Sequence, residues 1–546
     1  MEEPPISRAE EARLLRTPIR NLFNQNRFKD ALKLVRRVRP DYADDPWLAT
    51  MQAYLHLVLA EPEQALEMAA EATRLGSVDP TVKLVIGAAH RNLGHHVEAC
   101  ETLFVAQKLF PQRADVAAML LEEMTAVHGL DRARPLYAQM AATIPDRELT
   151  TAWAKLLFRE GLDSELSALS EDWVPAPLMS VPDWMARAGA TPDFVGVREA
   201  IPIEDPVVEG GPSPPFKATM PGYVPYACTL RDATIFHRSN IVLMPDGAAL
   251  NDTAADPEYG RFISFEQDAA AVDQANGRIL LDVSPFQVAA LDAGVMLSGS
   301  ASQHYGHWVG EYLSRLHYLQ RHPRFAELPI IVDSDMPVQH LEFLRQLVPN
   351  RFVEIPAGGA LQCRELIVAG QTTFIPVDLT RDHEVPPEKQ GGFSVDCIQA
   401  LRTRIEASLP PPATRERKLY LSRQGRGGRR PLNEDQIAAY LEAKGFEIVF
   451  TEDMSFEEQV RLFQAAKVIV APNGSAVLNV FFASTDVTLF ILSQRGLFNW
   501  GTYYGVMREL GYDMTFVLGD EEFPAKHANY RVPLDRLKAV LESSDP

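Results

Sequence analysis

Small apolar residues recur at a fixed interval through the first 150 positions. Ala31, Ala65, Ala99 and Ala133 stand 34 apart, each just after a short polar or glycine turn. Ala72, Ala106 and Met140 follow seven residues later in the last three units, and Pro111 and Pro145 twelve later in the last two. A small residue at a fixed place lets paired helices pack closely, and a proline beyond the second helix stops it. Helical hairpins are therefore predicted over residues 1–160. From Glu171 to Tyr226 the pattern breaks, with eleven prolines in that stretch. Such density argues against a helix or a central strand, so 161–225 is expected to be a linker. Beyond it, TIFHRSNIVLMPDG, GRFISF, GRILLDV and AGVMLSG read as short strands of a meander leading into an α/β unit. From Lys418 to Phe482 the chain then reads strand, loop, helix, strand, helix, strand and glycine turn.

Charge marks one part of that last stretch. The chain has a formal net charge of −20, yet Arg415, Arg417, Lys418, Arg423, Arg426, Arg429 and Arg430 face a single acid, Glu416, between 415 and 430. A basic loop on an acidic protein marks where an anion is wanted. Gly425, Gly427 and Gly428 let the backbone approach a ligand, and arginine forks match phosphate oxygens. Asn433 with Gln436 has the form of a capping box, which would aim the loop at the positive end of a helix. On charge alone a solvated basic loop or a weak nucleic-acid contact reads as well, but the succession of strand, loop, helix, strand and glycine turn favours the anion site.

A second group lies in GSASQHYGHWVGEYLSRLHYLQRH, residues 299–322. Trp308, Tyr312, Leu316 and Leu319 recur at helical spacing, so His304, His307 and Glu311 share one helix face. An imidazole with a carboxylate one turn away suits a general base. The same three residues could instead ligate a metal. Asp333-Ser334-Asp335 offers a further carboxylate pair for a divalent ion, but its place after a strand favours capping of the next helix.

These elements resemble glycosyltransferase family 61. Its loop, helix and turn signatures stand here as Ser422-Arg423, Asn433-Glu434, Ser455-Phe456-Glu457-Glu458-Gln459 and Pro472-Asn473-Gly474-Ser475-Ala476-Val477-Leu478-Asn479. The family's Y-x-H-W-x-x-[DE]-x-L-x-R-L helix stands as Tyr305, His307, Trp308, Glu311, Leu313, Arg315 and Leu316. The resemblance covers roughly residues 225–520. It implies an α/β protein of the B-type glycosyltransferase fold, with two Rossmann-like halves: 226–395 on the acceptor side and 396–546 on the nucleotide-sugar side. The implied reaction is inverting transfer from a nucleotide-sugar to an acceptor hydroxyl, with no metal and no cofactor. His307, oriented by Glu311, would be the base, with His304 next in line. Arg423, Arg430 and the amides of Gly474, Ser475 and Ala476 would hold the diphosphate. Asn433, Glu434, Glu452, Asn473 and Asn479 complete the implied binding set, although Glu434 and Glu452 read equally as helix-start or surface acids. The chain departs from the family at Asn473, where a histidine is usual, and at Ser475 and Ala476. The N-terminal hairpins are similar to tetratricopeptide repeats, degenerate at the aromatic and glycine positions except Gly87.

Composition sets the remaining bounds. With 546 residues, 46% hydrophobic and 23% charged, the chain reads as an ordinary globular protein of several domains. Its acidity argues against bulk binding of nucleic acid or anionic lipid. Cys100, Cys228, Cys363 and Cys397 are too scattered for a metal knuckle or a disulfide framework, so buried thiols in a reducing compartment are expected. No leader or apolar run of membrane length is seen, and a cytoplasmic protein is the expectation. The resemblance implies as acceptor either a glycan of bacterial surface polysaccharide assembly or a protein taking O-linked sugar, for which the repeats would offer a docking surface. A homo-oligomer is compatible with the sequence. The competing class is an interaction scaffold, with the repeats as its working surface and a degenerate enzyme domain.

Overall fold

The computed structural model describes residues 16–23, 28–208, 216–375, 385–424, 430–494, 501–521 and 529–543. Two compact units divide the chain, Met1–Glu171 and Asp172–Pro546. The first is helical, as the 34-residue period predicts. Second helices of successive hairpins begin at Phe28, Pro62, His96, Leu130 and Asp163, and first helices at Pro46, Thr81, Ala114 and Arg147. Ala31, Ala65, Ala99 and Ala133 are fully buried where paired helices meet. A Cβ at Gly87 would lie 2.7 Å from the Leu103 Cγ on the following helix, so a bare glycine sets that close approach. The unit runs past residue 160 because Asp163–Leu169 forms a further second helix and buries Leu166.

The expected linker over 161–225 is corrected by the structure. Trp173–Met179 is a strand lying between Ala249–Leu250 and Arg278–Asp282. Leu178 donates its N–H to the Gly277 carbonyl. Strand alternation then turns the missing N–H groups of Pro175 and Pro177 to the opposite edge, where pairing with Ala249–Leu250 starts only at Leu178. Pro182 stands in the first turn of helix Val181–Arg187, where a proline lacks nothing the helix needs. An antiparallel pair of Ala200–Glu204 and Lys217–Pro221 occupies the last part of the stretch.

Two parallel arrays organise the second unit. In chain order the strands that matter are β1 (Tyr226–Phe236), β2 (Gln287–Met296), β3 (Ile330–Asp333), β4 (Phe352–Ile355), β5 (Gly359–Ala369), β6 (Arg417–Leu421), β7 (Glu447–Val449), β8 (Ala466–Pro472), β9 (Thr488–Gln494), β10 (Met514–Glu521) and β11 (Tyr530–Arg531). Strands β4-β3-β2-β5 run parallel, and β1 joins β5 antiparallel, extending the sheet. The second sheet has the order β7-β6-β8-β9-β10, all parallel, with β11 antiparallel at the edge. Its five parallel strands thus follow the doubly-wound order 2-1-3-4-5. One apolar cluster takes Val295, Trp308 and Phe343 from the first array and Leu419, Phe456 and Val477 from the second, so the two share a core.

Candidate active site

In the second sheet, β6 is followed by β7 on one side, while β8 leads to β9 and β10 on the other. The chain leaves these neighbours in opposite directions, and open α/β sheets hold ligands in the crevice beyond such carboxyl ends. Leu421 hands the chain to Ser422 and Arg423 there, and Pro472 to Asn473 and Gly474. Arg423 crosses the crevice and donates from Nη1 to the Asn473 carbonyl at 3.3 Å. A Cβ on Gly474 would come within 2.6 Å of that same nitrogen, so glycine leaves room for the guanidinium against the turn. Ser475–Phe482 follows as a 3-10 helix. The start of a helix leaves its first N–H groups, here those of Ser475 and Ala476, without intrahelical acceptors.

One buried carboxylate sets the direction of the Arg423 loop. Glu434 opens the helix Glu434–Ala443, and its Oε1 accepts the Arg423 N–H at 2.6 Å, the Ser422 hydroxyl at 2.9 Å and the Tyr420 hydroxyl at 3.2 Å. These bonds at Oε1 position Arg423. Asn433 makes no capping bond, correcting the capping-box expectation. Its amide instead donates to the Val532 carbonyl at 2.8 Å and accepts the Val532 N–H at 3.1 Å, clamping the chain after β11. Arg430 has its backbone tied to Asn529 and Tyr530. Glu452 is exposed in the turn after β7. Gly425, Arg426, Gly427, Gly428 and Arg429 lie outside the described residues.

The second group sits on the helical stretch 305–319. Trp308–Tyr312 winds as a single π-helical turn between α-helical and 3-10 turns, an irregularity that recurs at functional sites. His307 Nδ1 lies 3.2 Å from Glu311 Oε2. Glu311 Oε1 accepts Arg315 Nη2 at 2.9 Å, and the same Nη2 donates to Gln371 Oε1 at 2.8 Å. Glu311 and Arg315 are both buried. With the carboxylate accepting, Nδ1 carries the ring proton and Nε2 is the basic atom. His304 is exposed, its ring 6.2 Å from that of His307.

The two groups meet directly. The Tyr305 hydroxyl donates to Asn479 Oδ1, and Asn479 Nδ2 donates to Gln459 at 2.8 Å. Asn479 is fully buried and engaged at both ends, so it fastens the joint. A Cβ at Gly306 would lie 3.1 Å from Ser475 Oγ, which places the residue before His307 against the start of the 3-10 helix. Residues 305–490 match the family model Glycosyltransferase 61.

The Glycosyltransferase 61 segment begins at Tyr305 and ends within β9, taking in both groups, and it supports a glycosyltransferase. It is narrower than the expected 225–520. No match was found among curated proteins. Among solved structures, the crystal structure of MamA is similar at 15% identity over 27% of this chain and 88% of that one, with a TM-score of 0.25. MamA 41-end from Desulfovibrio magneticus RS-1 is 12% identical over 30% and 93%, with a TM-score of 0.27. TTC0263, a thermophilic TPR protein in Thermus thermophilus, is 21% identical over 28% and 87%, with a TM-score of 0.25.

In the Glycosyltransferase 61 segment, Asn473 donates its N–H to the Leu492 carbonyl at 2.8 Å and its amide to Ser493 at 3.3 Å. It is buried and holds the turn onto β9. The Asp333-Ser334-Asp335 triplet neither caps a helix nor offers a carboxylate pair. Asp333 is fully buried and accepts the N–H groups of Arg238 and Gly299 and the Ser302 hydroxyl; burial raises its carboxyl and these bonds pull it back. Asp335 pairs with Arg238 and His237. Pro337, not an aspartate, precedes the next helix. Among the described residues, no cluster of three or more His, Cys, Asp or Glu is placed to hold a metal ion.

His340 was not expected here. Its ring stacks on Trp308 at 5.6 Å and 6°, and its Nδ1 meets the Ser302 carbonyl at 3.1 Å. Burial, with the nearby His304, pushes it down to about 4. The folded value lies below the unfolded one, so the unfolded chain binds the extra proton. Stability held above about pH 6.5 is then lost as pH falls toward about 4, on the order of 3 kcal/mol. Urea unfolding across that window is expected to show a steeper loss for the wild type than for His340→Phe, which keeps the stack and removes the proton site. Equal slopes would contradict this.

Proposed function

We propose that the Asp172–Pro546 unit is an inverting, metal-independent glycosyltransferase of the two-half B-type architecture. It moves a sugar from a nucleotide-sugar to an acceptor hydroxyl. The observation that carries this reading is the contact between Gly306 and Ser475, which brings the His307–Glu311 pair to the edge of the Arg423–Gly474 crevice. His307 Nε2 takes the acceptor proton as its oxygen attacks the anomeric carbon. The bond to the diphosphate breaks as the new bond forms on the opposite face, which inverts the centre. Arg423 and the Ser475 and Ala476 amides receive the charge that develops on the leaving diphosphate. Arg430, close along the chain, adds to the cationic side.

Reaction in the cytoplasm is proposed, with the acceptor a glycan of surface polysaccharide assembly or a protein presented by the repeats. No helix among the described residues is long and apolar enough to cross a membrane. Hydrolysis of a panel of nucleotide-sugars is expected to single out one donor and to proceed unchanged in EDTA. Loss of activity in EDTA, restored by manganese or magnesium, would overturn the metal-independent reading. Hydrolysis of no donor would favour a scaffold.

A further inference from the structure

Glu311 needs a counterion before it can serve His307. The carboxylate is buried, with His307 Nδ1 at 3.2 Å on Oε2 and Arg315 Nη2 at 2.9 Å on Oε1. A buried carboxylate that loses its cation has two ways to answer its charge: the carboxyl takes up a proton itself, or the neighbouring imidazole does. Both disable His307 Nε2. An imidazolium cannot accept a proton, and a protonated carboxyl donates to Nδ1 and drives the ring proton to Nε2. The guanidinium of Arg315 makes either change unnecessary, because its charge already answers the carboxylate.

The aim of Arg315 is built into the fold. Its side chain is buried with the guanidinium over the Tyr312 ring at 5.0 Å, and the Nη2 that meets Glu311 also donates to Gln371 Oε1 at 2.8 Å. Gln371 stands in the loop after β5, and its neighbours grip the same helical stretch. Thr372 shares a hydrogen bond with the Ser314 hydroxyl, and the Thr373 hydroxyl donates to the Gly310 carbonyl at 2.8 Å. Three successive residues of one loop thus fix the stretch that carries Glu311 and Arg315. Asp252 also feels the Arg315 charge. Burial raises its carboxyl, and the Tyr226 hydroxyl at 2.6 Å, the Val181 N–H at 2.8 Å and then Arg315 draw it back. Asp252 therefore has donors of its own, whereas the cation bonded to Glu311 is Arg315.

We infer that Arg315, aimed by Gln371, is the positioning residue that keeps His307 a neutral ring with its proton on Nδ1 and Nε2 open to the acceptor. What Nε2 then does rests on the transferase reading; the state of the ring rests on the geometry alone. The test is nitrogen NMR of the full chain with isotope-labelled histidine at neutral pH, run beside transfer kinetics, with the His307 signals assigned by their absence from His307→Ala. The wild type should show the neutral ring protonated at Nδ1. Arg315→Met should show an imidazolium or a ring protonated at Nε2, and should lower kcat by about tenfold or more, part of the worth of a general base, with the donor KM unchanged. Arg315→Lys should restore both the ring state and most of the rate. Gln371→Glu leaves Arg315 in place but gives its charge a second carboxylate, so it should move the ring the same way, and it carries the test if Arg315→Met does not fold. A wild-type ring in any other state, or His307 signals unchanged in the variants whatever happens to kcat, would overturn the assignment and leave Arg315 to packing. The change of ring state without transfer from any donor by the wild type would sustain Arg315 and overturn the transferase reading instead.

Discussion

His307→Ala slows glycosyl transfer by about 10²-fold or more, the usual worth of a general base, and leaves nucleotide binding unchanged. The split follows from placement. His307 stands on the 305–319 helix and Arg423 beyond β6, and His307 bonds to Glu311 rather than to the crevice residues. Glu311→Gln separates two roles. If the carboxylate only holds the ring, the loss is smaller than for His307→Ala, because a glutamine oxygen still accepts from Nδ1. A larger loss would make the carboxylate itself the base. Single-turnover rates across pH distinguish these, and wild-type rates in both variants would return the motif to packing.

Arg423→Ala is expected to weaken nucleoside diphosphate binding by about 1.5–3 kcal/mol, the scale of hydrogen bonds to a charged group. Two features make this arginine specific. Its guanidinium is already laid across the crevice by the Asn473 carbonyl, and its backbone is fixed by Glu434. Little ordering then remains to be done when the ligand arrives. The change should appear in calorimetric affinity with the fold intact, and unchanged affinity would sink the assignment.

The 34-residue period was readable because helical hairpins pack locally. Each repeat places its own small residue, and Gly87 shows how little room the pairing leaves. The succession from β6 to the Ser475 turn was readable for the same reason: each unit carries its own loop and caps, as in the capping box of Ser455 and Glu458. The prolines misled because their cost depends on which strand edge loses the N–H. At Pro175 and Pro177 that is set by residues some seventy to a hundred positions away. The asparagines misled similarly. Asn433 and Asn479 sit within motif segments, yet Val532, Tyr305 and Gln459 determine what their amides do. From sequence Glu434 reads as a sugar contact or a helix-start acid, and only its bonds to Tyr420, Ser422 and Arg423 show that it anchors the Arg423 loop.

The central claim is that the crevice between β6 and β8 holds the donor diphosphate beside the His307–Glu311 pair. A crystal structure with the nucleoside diphosphate of the hydrolysed donor tests it most directly. The account predicts phosphate oxygens about 3 Å from the Arg423 guanidinium and the Ser475 and Ala476 amides, with the open end of the diphosphate toward His307. A nucleotide seated elsewhere, for instance in the hollow formed by Leu432, Gln436 and Arg531, with the Arg423 crevice left empty, would contradict it.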